Sequence, residues 1–390
     1  TMQNRISIFS FFSGIGILDL AFERNGYNLV FVNEYDSFFL ESYQYARTQM
    51  NQRDPLYGYH NDSAERYARR RGKRNLLALI AQEREKGNLV GFIGGPPCPD
   101  FSVAGKNAGV DGENGRLTKI YFDIICRCHP DFFLFENVKG LVKTEKHRAF
   151  YKEMMMKVQA NDYVIAENVL NALAYGVPQF RERFVLIGSR DNEDIFMPIP
   201  THFQMHQDAS YRWQTLGDTI RDLEHDCGEC AAFGEDRLSF LKLVPEGGNW
   251  RDLPVDLKQM AMGGAFESGG GKVGFYRRLS YNQPSPTLVT SPVQKATMMC
   301  HPTQNRPLSI REYARIQQFP DDWIFMGTSA EKYRQIGNAV PVGLSEALGK
   351  AVLSVADQTA AIQTKRFRGT DIHQKLKIAL EIGGSCYVHK

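Results

Sequence analysis

One cysteine, Cys98, stands among three prolines in the stretch GGPPCPDFS, Gly94 to Ser102, directly after the apolar run from Leu89 to Ile93. Pro96 and Pro97 fix the backbone and remove two amide donors, so the segment is stiff, extended and unable to continue a helix. A thiol with an ordinary pKa of about 8.5 becomes a nucleophile when a nearby cation favours the thiolate, and Arg181 and Arg183 are the candidate cations. A carboxylate, Glu136, closes a second apolar run, Phe132 to Phe135. Desolvation at the end of such a strand raises a carboxyl pKa and lets it hold a proton to donate. Taken singly, Cys98 also reads as a buried thiol and Glu136 as a helix cap or ion-pair partner.

These residues need a scaffold that brings strand ends together. Short apolar runs at Ile6–Phe12, Leu29–Val32, Val90–Ile93, Phe132–Phe135 and Phe184–Ile187 alternate with helix-like stretches. That rhythm predicts βα units and a parallel sheet, whose ligands lie outside the carboxyl ends of the strands. The first run continues into Phe12-Ser13-Gly14-Ile15-Gly16-Ile17-Leu18-Asp19, a turn in which glycine permits close backbone approach to a nucleotide-like ligand. Glu34 follows the second run, 20 residues after Gly14, the spacing at which an acidic side chain reaches ribose hydroxyls. Asp19 replaces the third glycine of a dinucleotide fingerprint, which points to adenosine rather than a pyrophosphate.

The chain has 390 residues, 43% hydrophobic and 23% charged, enough for a large core and two domains. No apolar stretch approaches the roughly 20 residues of a membrane helix, and the first residues do not read as a secretory signal; the expectation is a cytoplasmic, monomeric protein away from membranes. Seven unevenly spaced cysteines argue for reduced thiols. Cys227, Cys230 and His225 do not make the two ligand pairs of a structural zinc site, so no metal is expected. The net charge of +3 is small, yet Arg66, Arg69, Arg70, Arg71, Lys73 and Arg74 fall within nine residues, a run that reads as a solvated helix face. After Ser189 the sequence turns glycine-rich and polar until about residue 300. Helical spacing then returns over Leu308–Gln317 and Val340–Val355.

With FFSGIGILDLAF at 11–22, Glu34, GGPPCPDFS, ENVKG at 136–140, QFRERFVLIG at 179–188, RPLSIREYARIQQFP at 306–320 and IGNAVPV at 336–342 in one order, the chain resembles the DNA cytosine C5-methyltransferases of bacterial restriction–modification systems. The resemblance implies a Rossmann-like α/β sheet with a smaller target-recognition domain: residues 1–198 catalytic and cofactor-binding, 199–302 target recognition, 303–390 returning to the catalytic domain. It implies S-adenosylmethionine as cofactor, with Phe12, Gly14, Ile15 and Gly16 lining its pocket, Glu34 on the ribose, Tyr35 against the adenine face, Asp62 near the adenine, and Pro97, Asn338 and Val340 completing the site. It implies that Cys98 adds to C6 of a flipped cytosine while Glu136 donates to N3, with Arg183 on the cytosine O2 and Arg181, a further catalytic candidate, closer to structure or phosphate. Double-stranded DNA is the implied partner, contacted by Ser102, Lys106, Arg116, Arg277, Arg278 and Thr287, and Ser102–Leu117 resembles the family's closing loop. A cognate restriction endonuclease acting on the same site is implied without a stable complex. Pro99 stands where the family commonly has Gln, and Ala339 where it often has Ser. A tRNA cytosine-5 methyltransferase and a catalytically silent DNA-binding regulator remain alternatives at this point.

Overall fold

The computed structural model describes residues 6–97, 113–191, 194–267, 273–367 and 387–389. Ten strands occur among them: β1 (Ile6–Phe11), β2 (Asn28–Asn33), β3 (Tyr59–His60), β4 (Leu89–Gly94), β5 (Phe132–Val138), β6 (Val164–Asn171), β7 (Gln179–Phe180), β8 (Glu182–Ser189), β9 (Ser285–Pro286) and β10 (Tyr387–His389). Eight of them form one sheet in the order β10-β6-β8-β5-β4-β1-β2-β3, and β7 pairs with β9 separately. The strands β1 and β4 are buried along their whole length, which explains their uninterrupted apolar runs: both faces of the sheet are covered. Phe9, Phe11, Phe92, Phe133 and Phe135 pack on one face with helix Glu113–Cys128. Ile8, Ile93 and Leu134 pack on the other with Leu344, Leu348 and Val352.

The expected parallel order holds for β5-β4-β1-β2-β3. Beyond β5 the pairing reverses, for β8 runs antiparallel to both β5 and β6, and β10 antiparallel to β6. The physical reason is the short connection: residues 172–181 between β6 and β8 hold a single 3-10 turn and the two-residue β7, too little for a crossover helix. β6 also escapes the apolar-run reading, because Glu167 and Asn168 interrupt it.

The chain leaves β1 toward β2 on one side, and its other neighbour, β4, is reached later, so a crevice opens at the carboxyl ends of β1 and β4. The turn after β1 needs its glycines. Gly14 and Gly16 have φ of +58° and +81°, and a Cβ at Gly16 would lie 2.0 Å from the Tyr43 ring. Beneath the turn, Asp19 is fully buried and accepts hydrogen bonds from Ser10 Oγ at 2.6 Å and Tyr43 Oη at 2.9 Å. Burial pushes its carboxyl up to about 7, with the two hydroxyls pulling it back in part. Because the folded pKa exceeds the unfolded one, stability from neutral Asp19 is fully present below about pH 4 and is lost as pH rises through about 7. A loss of about 4 kcal/mol across that window is expected. Urea midpoints measured against pH should show this slope in the parent and a flatter one in Asp19→Asn.

The 26-residue helix Val342–Phe367 starts two residues inside the predicted Val340–Val355 segment and runs beyond its end. The stretch Ser329–Thr359, which takes in most of this helix, is apolar enough to pass for a membrane span, but Leu344, Leu348, Val352, Val355 and Ala356 pack in the core beside Phe22 and Tyr27. Residues 233–300 hold a small core of their own, built on Phe233, Leu241, Val244, Tyr276 and Met298. Leu216, Ile220, Leu279 and Leu288 instead share a core with Ile15, Ile17 and the helices after residue 308.

Candidate functional site

Because β1, β2, β4 and β5 are parallel, the glycine turn, Glu34, the Pro96–Pro97 segment and Glu136 all emerge at one edge of the sheet. A cavity of about 60 Å³ there is lined by Phe12, the turn from Ser13 to Gly16, Asp19, Gly95, Glu136, Asn338 and Val340, so residues more than 300 positions apart share one wall. Phe12 itself has φ of +53°, a strained conformation that turns the chain out of β1. Pro97 is exposed at the head of the segment whose next residues, Cys98, Pro99, Ser102 and Lys106, lie outside the described residues.

Glu136 is 8% exposed, and its Oε1 lies 3.0 Å from Arg183 Nε on the neighbouring β8. Burial raises the Glu136 pKa, and the opposing pull of Arg183 and then Arg181 is weaker. A Cβ on Gly95 would approach Glu136 Oε2 to 2.9 Å, so a side chain there would press on the carboxylate. Asn137, the next residue along, donates from Nδ2 to the Pro96 carbonyl at 3.4 Å and ties β5 to the proline segment. Its place beside Glu136 in ENVKG was the signal that could have singled it out.

Glu34 is 9% exposed. Its two oxygens accept the amides of Gly14 at 2.7 Å and Asp36 at 2.8 Å, which locks the carboxylate against the glycine turn. Burial raises its pKa, while these amides lower it. Tyr35 beside it is 76% exposed, an aromatic face with no covering group.

A family model described as C-5 cytosine-specific DNA methylase matches residues 6–354. The chain belongs to that family. It is 37% identical over 357 residues to the Type II methyltransferase M.NmeDI of Neisseria meningitidis serogroup C, covering 87% of this chain and 81% of the relative. It is 41% identical over 266 residues to M.Sau96I of Staphylococcus aureus, covering 68% and 60%. Among solved structures, the Entamoeba histolytica methyltransferase EhMeth aligns with a TM-score of 0.55 at 14% identity over 90% of this chain and 99% of that one. Spodoptera frugiperda DNMT2 aligns at 0.53 and 17% over 89% and 99%. The fold is therefore shared with both, and the methylase is a DNA cytosine-5 methyltransferase.

Family and fold imply S-adenosylmethionine as the methyl donor of the methylase, and the residues fit it. Each Glu34 oxygen retains a lone pair for a hydroxyl donor, the glycine turn leaves room for close backbone approach, and Tyr35 offers a bare ring. Asp62 follows β3 by two residues. Its carboxylate pairs with Arg66 and its carbonyl accepts from Asn33 Nδ2 at 2.7 Å.

Three arginines and a threonine take structural places in the methylase. Arg181 is buried and donates to the carbonyls of Leu288, Gly337 and Ala339 at 3.2, 2.9 and 3.1 Å, clamping the 199–302 segment at Leu288 to the C-terminal end of helix Ser329–Asn338. Gln179 supports this clamp, accepting the Leu288 amide at 2.9 Å. Sequence reasoning passed over Gln179, although a glutamine beside Phe180 and Arg181 is a polar group that must find partners when buried. Arg278, expected on DNA, is instead buried at 5% exposure and makes five hydrogen bonds of 2.7–3.1 Å, to the carbonyls of Val244, His301, Gln304 and Leu241 and to Asn305 Oδ1. A guanidinium has five N–H donors, so none is left for a phosphate. Arg277 donates to the Met298 carbonyl at 2.9 Å and burial lowers its pKa to about 10. Thr287 Oγ1 donates to the Phe180 carbonyl at 2.7 Å. Arg278→Met is expected to lower stability by at least about 3 kcal/mol, since the orphaned carbonyls lose their donor. A urea titration checks this, with DNA affinity per folded molecule unchanged.

Arg116 pairs with Glu65. Among the described residues no group of three or more His, Cys, Asp or Glu could hold a metal ion.

Proposed function

We propose that the methylase modifies cytosine at one short duplex DNA sequence, through a transient covalent bond between Cys98 and C6 of a base rotated out of the helix. The observation that supports this reading best is Glu136, a buried carboxyl with a raised pKa, 3.0 Å from Arg183 and sharing a cavity with the glycine turn.

Cytosine C5 is too weak a nucleophile to be methylated directly. Addition of the Cys98 thiolate to C6 forms an S–C bond, and Glu136 transfers its proton to N3, so the ring becomes an enamine with electron density at C5. Arg183 faces the developing charge at O2 and, by pairing with the Glu136 carboxylate, stabilises the product of that proton transfer. S-adenosylmethionine, when bound, supplies the electrophilic methyl group that C5 takes up. Return of the N3 proton to the Glu136 carboxylate, loss of the C5 proton to water and expulsion of the Cys98 thiolate restore the aromatic ring and regenerate both groups. Phe12, Gly14, Ile15, Gly16, Pro97, Asn338 and Val340 would hold the cofactor, with Glu34 accepting from the ribose hydroxyls, Tyr35 on the adenine face and Asp62 near the adenine edge.

A base inside a duplex is out of reach of a thiol at a strand end, so the target must be flipped at a cost of a few kcal/mol. Residues 199–302 would read the site, Ser102, Lys106 and Arg116 would touch its backbone, and Ser102–Leu117 would close over it. The similarity to Type II methyltransferases favours a role in restriction–modification, in the cytoplasm of a bacterium, as a monomer working beside an endonuclease of the same specificity. Bisulfite sequencing of a host genome expressing the methylase tests this. Cytosines protected at a single short sequence are expected, and complete conversion everywhere would overturn it.

A further inference from the structure

The run of arginines at 66–74 is left over by this chemistry. Residues 62–74 carry a net charge of +4, more than the +3 of the whole chain. Only part of it is neutralised: Arg66 pairs with Asp62, and Arg69 and Arg116 share Glu65. Arg70, Arg71 and Arg74 are exposed, with no carboxylate at ion-pair distance among the described residues.

The backbone spreads these cations apart. Helix Glu65–Ala68 and helix Arg70–Glu85 meet at Arg69, whose φ of −85° and ψ of 154° break the helix. Gly72 packs on the Arg66 carbonyl so closely that a Cβ would lie 2.0 Å from it. Between the two helices lies a groove of about 540 Å³ lined by Asp62, Ser63, Arg66, Arg69, Arg71 and Asn75. Helix Arg70–Glu85 opens with no acidic residue in its first turn and no side-chain cap. Cations placed at the positive end of a helix cost stability, a cost that a bound anion would offset.

The groove opens beside the site. Asn61 Nδ2 donates to the carbonyls of Glu34 and Tyr35 at 3.0 and 2.9 Å, and Arg116, near the end of the segment expected to close over DNA, reaches Glu65 from the first turn of helix Glu113–Cys128. We propose that the face formed by Arg66, Arg69, Arg70, Arg71, Lys73 and Arg74 binds backbone phosphates of the duplex flanking the target cytosine. This rests on the reading of duplex DNA as substrate. It adds a positioning surface on the catalytic domain, separate from residues 199–302.

The test is the triple variant Arg70→Gln/Arg71→Gln/Arg74→Gln, with glutamine retaining helix propensity. Binding to a mixed-sequence duplex of about 30 base pairs is followed by fluorescence anisotropy as salt is raised. Each lost phosphate contact should reduce the slope of log K against log[salt] by about 0.9, so the slope is expected to fall by about 2 to 3 and Kd at about 0.1 M salt to rise at least about tenfold. The thermal midpoint should hold or rise, and methyl transfer at saturating DNA should match the parent. An unchanged slope and Kd would overturn the proposal, as would a fall in turnover at saturating DNA with the slope unaltered. A parent protein that transfers no methyl group to DNA would instead sink the reading of the substrate, whatever the triple variant does.

Discussion

Cys98→Ser is expected to reduce methyl transfer by about 10⁴-fold or more while leaving cofactor and DNA binding in place. A serine hydroxyl at the same position is hardly ionised near neutral pH, so the bond to C6 fails to form and C5 keeps its low nucleophilicity. The positional advantage of a tethered nucleophile, worth as much as roughly 7–11 kcal/mol in well-oriented systems, is then lost with it. Two measurements check the expectation. Steady-state transfer of a labelled methyl group gives the rate. Incubation with S-adenosylmethionine and DNA carrying 5-fluorocytosine at its target sites should give a denaturation-resistant adduct with the parent and none with the variant. Full turnover by the serine variant would remove the covalent route altogether.

Glu136→Gln is expected to cost about 10²–10⁴-fold in the chemical step, the usual range for a positioned general acid. Its pH dependence carries the mechanistic information. Burial raises the Glu136 pKa, so the proton needed at N3 is present below that raised value and is lost as pH rises through it. The rate from this group should therefore fall on the alkaline limb, whereas ionisation of Cys98 acts in the opposite sense, giving a bell. In Glu136→Gln the alkaline limb due to Glu136 should vanish while the limb due to the thiol stays. Arg183 pairs with this carboxylate at 3.0 Å. Its replacement by methionine should push the Glu136 pKa higher still and move the alkaline limb to higher pH, a shift that a merely structural arginine would not produce.

The strands that carry chemistry were legible because they are buried on both faces and end in residues that packing alone does not ask for. The runs Ile6–Phe12 and Val90–Ile93 read as strands from composition and fold as Ile6–Phe11 and Leu89–Gly94, and Gly14, Glu34 and Glu136 stood out because each follows such a run. The antiparallel half of the sheet was less visible, since Val164–Asn171 carries Glu167 and Asn168 and pairing direction depends on connection length rather than on residue type. The arginines misled for a different reason. A pair such as Arg277-Arg278 looks the same in sequence whether it faces solvent or carbonyls, and the five acceptors around Arg278 come from residues 241 to 305. Long-range satisfaction of this kind leaves no local pattern. The clamp of Arg181 on Leu288, Gly337 and Ala339 has the same character.

The wall that joins Phe12 and Gly16 to Asn338 and Val340 also has a consequence for biosynthesis. A ribosome must deliver more than 300 residues beyond the glycine turn before the crevice acquires its last side, and the apolar face awaiting Leu344, Leu348 and Val352 stays wet until then. Nascent chains stopped before Val340 would be sticky and inert, so modification of the genome begins only with copies that extend past it.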